Sequence, residues 1–204
     1  LGLMAWWKRS WGKAVVKAAS PAGAIASTAD QSRSEGTVTR NLSIMFIDVE
    51  DFTALAAKES REGILMVIRK AREMVKPAME RHRGTLVKTM GDGFLITFDS
   101  PTDAVLCGRD VQREARRRAP DEGDKALRFR VGVTTGEVAL ENDDVFGDPV
   151  NLAARLQQLA PPGEVYFSEA TYHAMTRSEV SHEPAGEFEV KGVSGPVRAF
   201  RVLD

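Results

Sequence analysis

The sequence has little of several things that usually reveal a protein's compartment or chemistry. Its single cysteine, Cys107, excludes an internal disulfide and fits a reducing, cytoplasmic compartment. The three histidines, His82, His173 and His182, lack the spacing of metal ligands. No apolar run approaches the roughly 18 to 20 residues that cross a bilayer. The net charge of −1 gives no reason to expect nucleic acid as a partner.

The first 36 residues differ in composition from the rest of the chain. Residues 1–19 carry four cations and no acid, and Leu3, Trp7, Trp11 and Val15 fall on one stripe of an amphipathic helix. Three interpretations stay open for this segment: a packing or dimer-contact helix, a helix near a membrane surface, or disorder. Residues 20–36 are rich in Ala, Ser and Gly, which is typical of a flexible linker. We expect a folded domain over residues 37–204, and an upstream membrane or sensor region stays open because the chain begins with Leu.

The domain has the pattern strand, helix, strand, strand, helix, strand, which is the ferredoxin-like arrangement of an α+β fold. We predict this βαββαβ core with C-terminal αβ additions. The predicted elements are strand 42–48, helix 52–83 with a break near Ser60, hairpin 85–98, helix 102–118, strand 127–133 with residues 136–140 as its hairpin or continuation, helix 149–159, strand 164–168, helix 169–176 and strands 188–191 and 197–202.

Two acids follow apolar runs and are candidate metal ligands. Asp92 stands in the Gly91–Gly93 turn of the predicted hairpin, and Asp48 ends the first predicted strand. If these strands are neighbours, the two carboxylates converge, and Mg²⁺ or Mn²⁺ prefers such oxygen ligands together with substrate phosphates. The alternative is that Asp92 is only a turn residue and Asp48 only a helix N-cap.

Four ordered blocks of the sequence resemble the class III nucleotidyl cyclase catalytic domain. They are residues 44–53 (IMFIDVEDFT), 87–94 (VKTMGDGF), 131–137 (VGVTTGE) and 144–156 (DVFGDPVNLAARL). The resemblance implies that Asp48, Asp92 and the backbone carbonyl of Val49 hold two Mg²⁺ or Mn²⁺ ions. It also implies attack of the ribose 3′-hydroxyl on the α-phosphate of a nucleoside triphosphate.

The same resemblance assigns the remaining site residues. Lys88 and Asp144 match the pair that reads the purine, and this combination is the one typical of adenylate cyclases. Asn151 would orient the ribose, and Arg155 would stabilise charge on the transferring phosphate. The triphosphate would be bound by Phe52, Thr53 and Lys191. Because the metal ligands and the purine-plus-Arg residues of this family belong to opposite subunits, the resemblance implies a head-to-tail homodimer with two shared sites that convert ATP to cyclic AMP.

One residue departs from the family pattern, and other functions stay open. Asp51 stands where most relatives have Gly, so its carboxylate either repels the triphosphate or caps a helix and faces away. A guanylate or relaxed-purine cyclase is the nearest alternative function. A catalytically silent cyclase-like dimerisation domain is another. An RNA-binding module of ferredoxin-like fold is disfavoured because Phe46 and Phe94 stand in apolar runs typical of core.

Overall fold

The computed structural model describes residues 38–190, 192–193 and 195–203. The predicted N-terminal helix, the predicted linker and Lys191 lie outside these residues. Over the described residues no helix is both long and apolar enough to cross a membrane.

The elements follow the predicted order closely. The strands are β1 (Val38–Val49), β2 (Thr85–Met90), β3 (Gly93–Phe98), β4 (Phe129–Glu141), β5 (Asp144–Phe146), β6 (Val165–Ser168), β7 (His182–Glu189) and β8 (Pro196–Val202). The α-helices are α1 (Phe52–Ala56), α2 (Arg61–Arg81), α3 (Pro101–Glu122), α4 (Asp148–Leu159) and α5 (Glu169–Ala174).

One sheet contains all these strands, in the order β2-β3-β1-β4-β6-β8-β7, with β5 paired to β4. Each of the first four strands in this order is antiparallel to its neighbours. These four strands belong to the βαββαβ unit, so the predicted ferredoxin-like core is confirmed. Strand β6 runs parallel to β4 and begins the C-terminal additions. The fold is therefore α+β, as the sequence predicts.

The two faces of the sheet are covered by different helices. Met45, Ile47 and Val49 of β1 join the core cluster that contains the buried residues of α2 and α3. Since side chains alternate along a strand, Ile44, Phe46 and Asp48 point to the other face. Helix α4 packs against β4 and β1 on that second face. Cys107 of α3 is fully buried in this core.

Some boundaries differ from the prediction. Strand β1 begins at Val38 because polar residues outside the apolar run also pair with β4. The predicted break at Ser60 is confirmed, since its hydroxyl accepts a hydrogen bond from the Gly63 amide and caps α2. Helix α3 continues past the expected end at residue 118 to Glu122. Residues 129–141 form one continuous strand, and β7 begins at His182, well before the predicted residue 188.

Strand β5 was not expected from the sequence. The segment from Glu141 to Asp144 connects β4 and β5 through a tight turn. The turn consists of Asn142 and Asp143, whose φ angles of 49° and 60° are positive. Asn and Asp tolerate this left-handed conformation better than most residues. Asp144 therefore leaves the turn and pairs with Glu141 in a short hairpin.

Candidate active site

The two predicted metal ligands lie side by side at one edge of the sheet. Strands β1 and β3 are direct neighbours, with Ile47 opposite Phe94, so Asp48 at the end of β1 meets Asp92 in the β2–β3 turn. Their carboxyl groups are close enough to share a hydrogen bond. Asp92 is 9% exposed, and its Oδ2 accepts a hydrogen bond from the Val49 amide at 3.2 Å. Asp48 is a strand residue and caps no helix.

Burial raises the pKa of both acids. Burial, followed by the charge of Asp48, raises the pKa of Asp92 to about 8. Burial also raises the pKa of Asp48, although Asp92, Arg130 and Gln157 each act to lower it. Two carboxylates in such a place lack sufficient counter-charge, and a divalent cation would supply it.

The donor set fits a hard divalent cation whose other ligands come from elsewhere. Within the described part of the chain no group of three or more His, Cys, Asp or Glu side chains is arranged to hold a metal ion. Mg²⁺ is commonly bound through one or two carboxylates together with substrate phosphates and water. Gly93 lies against this carboxylate, since a Cβ built on it would lie 3.6 Å from Asp48 Oδ1, in van der Waals contact.

The backbone conformation at residue 51, shortly after Asp48, explains why relatives usually have glycine there. Asp51 is the N-cap residue of α1, and its φ of 53° lies in the left-handed region that favours Gly. Its exposed side chain makes no capping hydrogen bond, so of the two alternatives for Asp51 the structure does not show the capping one. Phe52 packs partly against the core and Thr53 is exposed, and both belong to the first turn of α1. Backbone N–H groups in a first helical turn have no acceptor within the helix.

Lys88 and Asp144 form an ion pair between β2 and β5. Lys88 Nζ donates to Asp144 Oδ2 at 2.5 Å, and the Val145 amide donates to Asp144 Oδ1 at 2.8 Å. Both side chains are about one third exposed. Lys88 lies opposite Leu95, and Leu95 lies opposite Phe46, so Lys88 is on the same sheet face as Asp48.

Asn151 and Arg155 lie one turn apart on α4, as the sequence predicts, with Asn151 exposed and Arg155 half-buried. The helix packs very closely on the sheet at Gly132 of β4. A Cβ at this position would lie 2.2 Å from the Gln157 amide nitrogen and 2.3 Å from the Ala153 carbonyl oxygen. Only glycine therefore allows α4 to pack at this depth.

Gln157 is a site residue that the sequence reasoning missed. Its Nε2 donates to Asp48 Oδ2 at 3.5 Å, and the side chain is 6% exposed. The available signal is the periodicity of α4. Val150, Ala153, Ala154 and Gln157 have the spacing i, i+3, i+4, i+7, which places one amide on an otherwise apolar stripe.

The comparisons with known proteins agree with this arrangement. The family model for the adenylate and guanylate cyclase catalytic domain matches residues 35–203. A putative adenylate cyclase 3 of Rhizobium meliloti (strain 1021) is 32% identical over 165 residues, which is 79% of this chain and 28% of the relative. The chain spans 20% to 41% of the length of the first curated relatives that it matches.

Solved structures of both purine specificities resemble the chain. An adenylate/guanylate cyclase/hydrolase from Silicibacter pomeroyi superposes with a TM-score of 0.75 at 29% identity, covering 83% of this chain and 99% of that one. The guanylyl cyclase Cya2 superposes with a TM-score of 0.71 at 26% identity, covering 82% and 93%. With the family match across most of its length and the acidic pair at the end of β1, this chain belongs to the class III adenylate and guanylate cyclase catalytic domain family.

Proposed function

We propose that the chain is an adenylate cyclase that converts ATP to 3′,5′-cyclic AMP and pyrophosphate. The observation that carries the proposal is the contact between Lys88 and Asp144. It brings a hydrogen-bond donor and an acceptor together from two strands. Adenine N1 accepts and its 6-amino group donates, so a lysine and a carboxylate complement adenine, whereas guanine has the reverse pattern.

Asp48, Asp92 and the Val49 carbonyl would hold two Mg²⁺ or Mn²⁺ ions. When bound, such ions lower the pKa of the 3′-hydroxyl and neutralise the triphosphate. The backbone amides of Phe52 and Thr53, together with Lys191, bind the phosphates. Asn151 orients the ribose for in-line attack, in which the O3′–Pα bond forms and the bond from Pα to the pyrophosphate oxygen breaks. Arg155 stabilises the charge that builds on the transferring phosphate.

The site is shared between two copies of the chain in this proposal. Along β4, Arg130 lies opposite Asp48, whereas Glu141 lies opposite Asp144. These positions are near opposite ends of a 13-residue strand. A head-to-tail homodimer would bring the metal ligands of one copy to the purine and Arg residues of the other.

The first test is product identification by chromatography, with purified chain, ATP or GTP, and Mn²⁺ or Mg²⁺. Cyclic AMP from ATP, with little product from GTP, is the expected result. Cyclic GMP as the main product would overturn the adenine assignment and leave the cyclase family intact. The absence of any cyclic product from a folded dimer would instead favour a silent regulatory domain.

A complementation assay tests the shared site separately. An Asp92→Ala chain and an Arg155→Ala chain are each expected to be inactive, and mixing them should restore activity because one of the two sites in a mixed dimer is intact. If mixed dimers form and no activity returns, the shared arrangement is wrong.

A further inference from the structure

Gln157 contacts Asp48, one of the two predicted metal ligands, from the helix that also carries the predicted catalytic residues Asn151 and Arg155. Its amide Nε2 lies 3.5 Å from Asp48 Oδ2, and this contact joins α4 to the end of β1. Asn151 and Arg155 stand on the same helix. Helix α4 thus presents one side chain to the proposed metal ligands and also carries the two residues proposed to act on the nucleotide.

Packing alone does not explain a glutamine at this position. The other members of its stripe are Val150, Ala153 and Ala154, and an apolar residue would continue the stripe. Burial of an amide side chain is unfavourable unless its groups form hydrogen bonds. The Asp48 carboxylate is the acceptor that this amide donates to. The contact with Asp48, and not packing in the core, therefore explains why position 157 carries a polar side chain.

The backbone of α4 fixes where the Gln157 side chain begins. A Cβ at Gly132 would lie 2.2 Å from the backbone nitrogen of Gln157 and 2.8 Å from the Gln157 Cα. The backbones of helix and strand are therefore in direct contact here. Gly132 lies two residues after Arg130, which is opposite Asp48 in the β1–β4 ladder. The amide thus reaches Asp48 from a rigid support, which is what orientation of a metal ligand requires.

We infer that Gln157 is a positioning residue that orients the Asp48 carboxylate for metal binding and makes the metal site depend on the seating of α4. This inference rests on the proposed function, since it takes Asp48 as a metal ligand. In the shared-site arrangement, α4 then serves one active site through Arg155 and the other through Gln157.

The test is a Mn²⁺ titration of the nucleotide-free full chain, followed by the electron paramagnetic resonance of free Mn²⁺. Gln157→Met keeps the length of the side chain and removes the amide. We expect its Mn²⁺ dissociation constant to rise about 10-fold or more, as for other residues that orient metal ligands. Gln158→Met is the matched control, because Gln158 is the next residue of α4 and is exposed. It should bind Mn²⁺ like the wild type.

Two further variants make each outcome decisive. Gln157→Leu should weaken Mn²⁺ binding as Gln157→Met does, with melting temperatures reporting whether either variant is unfolded. If both folded variants bind Mn²⁺ like the wild type while Asp48→Asn does not, the inference is wrong and the metal assignment stands. If Asp48→Asn binds Mn²⁺ like the wild type, the assignment of Asp48 as a ligand fails.

Discussion

The chain has two pairs of charged side chains near opposite ends of β4, and their electrostatics are opposite. Asp48 and Asp92 are two like charges, buried side by side, with the pKa of both raised by burial. Lys88 and Asp144 are unlike charges, partly exposed, and already joined by a hydrogen bond. Arg130 offsets only part of the charge of the first pair, since the pKa of Asp48 is still raised, whereas the second pair supplies its own counter-charge.

This difference separates the two kinds of recognition expected of the site. A cation bound between Asp48 and Asp92 relieves their repulsion, so binding and stability should change together. A purine bound by Lys88 and Asp144 would replace the contact that these two side chains already make with each other. This pair should therefore select between purine bases with little effect on the stability of the fold. Each pair can be broken separately to test this.

The largest effect is expected for Asp92→Asn. The amide oxygen can still accept the hydrogen bond from Val49, but the negative charge needed for a divalent cation is lost. We expect turnover to fall by on the order of 1000-fold. The metal-free protein should be no less stable than the wild type, because a buried like-charge pair is removed. Cyclase assays and urea unfolding of the metal-free chain measure the two effects.

Asp143→Asn is the matched control for this variant. Asp143 is exposed, and its φ of 60° is one that Asn adopts readily. Turnover within about twofold of the wild type is expected, since Asn keeps the turn conformation and Asp143 is not among the residues proposed to bind metal or nucleotide. A marked loss of stability in metal-free Asp92→Asn would contradict the repulsion that we assign to the acidic pair.

The second largest effect concerns the helix that reaches the acidic pair. Gly132→Ala would place a Cβ 2.2 Å from backbone of α4, so the helix must move away from β4. We expect a loss of about 3 kcal/mol in the free energy of unfolding, as for overpacked cores. Urea unfolding measures it. The Gly132→Ala variant should also lose affinity for Mn²⁺, because the displaced helix carries Gln157, which contacts Asp48.

Gly108→Ala on α3 separates helix movement from the mere addition of a methyl group. A Cβ there meets only side-chain atoms of Val165 and Val131, at 3.0 to 3.3 Å. Alanine also gains about 1 kcal/mol of helix propensity over glycine. The net change should be small. Equal destabilisation of both variants would mean that the close backbone approach at Gly132 has no special role.

Much of the fold was predictable because the strong signals are local. The apolar run before Asp48 and the Gly91–Gly93 turn specify two neighbouring strands, and their adjacency brings the two acids together. Asn151 and Arg155 were identified through the family resemblance, and helical periodicity adds only that they lie one turn apart on α4. For these residues, spacing along the chain translates directly into spacing in the molecule.

The remaining features depend on contacts between distant segments. The Gln157–Asp48 contact joins residues 109 positions apart, and nothing around Gln157 indicates its acceptor. Strand β5 has three residues and follows a cluster of acids, so it has no strand pattern of its own. Its pairing with β4 is what removes Asp144 from the turn and brings it to Lys88. Sequence patterns predict elements, but they do not report which polar groups meet across the sheet.

The third prediction concerns a variant that removes the ion pair between Lys88 and Asp144. Lys88→Met should change the free energy of unfolding by less than about 1 kcal/mol, because a partly exposed ion pair contributes little. Preference for ATP over GTP, expressed as the ratio of their kcat/KM values, should fall by about 10-fold through loss of one hydrogen bond. Cyclase kinetics with both nucleotides provide the ratio. A large loss of stability with unchanged preference would make Lys88 a structural residue.

The smallest effect tests whether burial or missing counter-charge distinguishes the acidic pair. Asp110 is also a mostly buried acid, but His82, Arg81 and Arg109 surround it. Burial acts to raise the pKa of Asp110, yet hydrogen bonds from His82, Arg81 and Arg109 outweigh it and lower the pKa below its ordinary value. Asp110 should therefore stabilise the fold where it is ionised, in contrast to metal-free Asp92.

For Asp110→Asn we expect a loss of about 1 kcal/mol near neutral pH. A carboxylate with a lowered folded pKa contributes stability above its ordinary pKa of 3.8, and this contribution disappears as the pH falls through the folded pKa. The difference between variant and wild type should thus shrink below about pH 4 in urea unfolding experiments. A difference independent of pH would mean that Asp110 acts through shape and not charge. Burial with counter-charge would then no longer explain why one buried acid stabilises the fold while we expect the pair Asp48 and Asp92 to bind a cation.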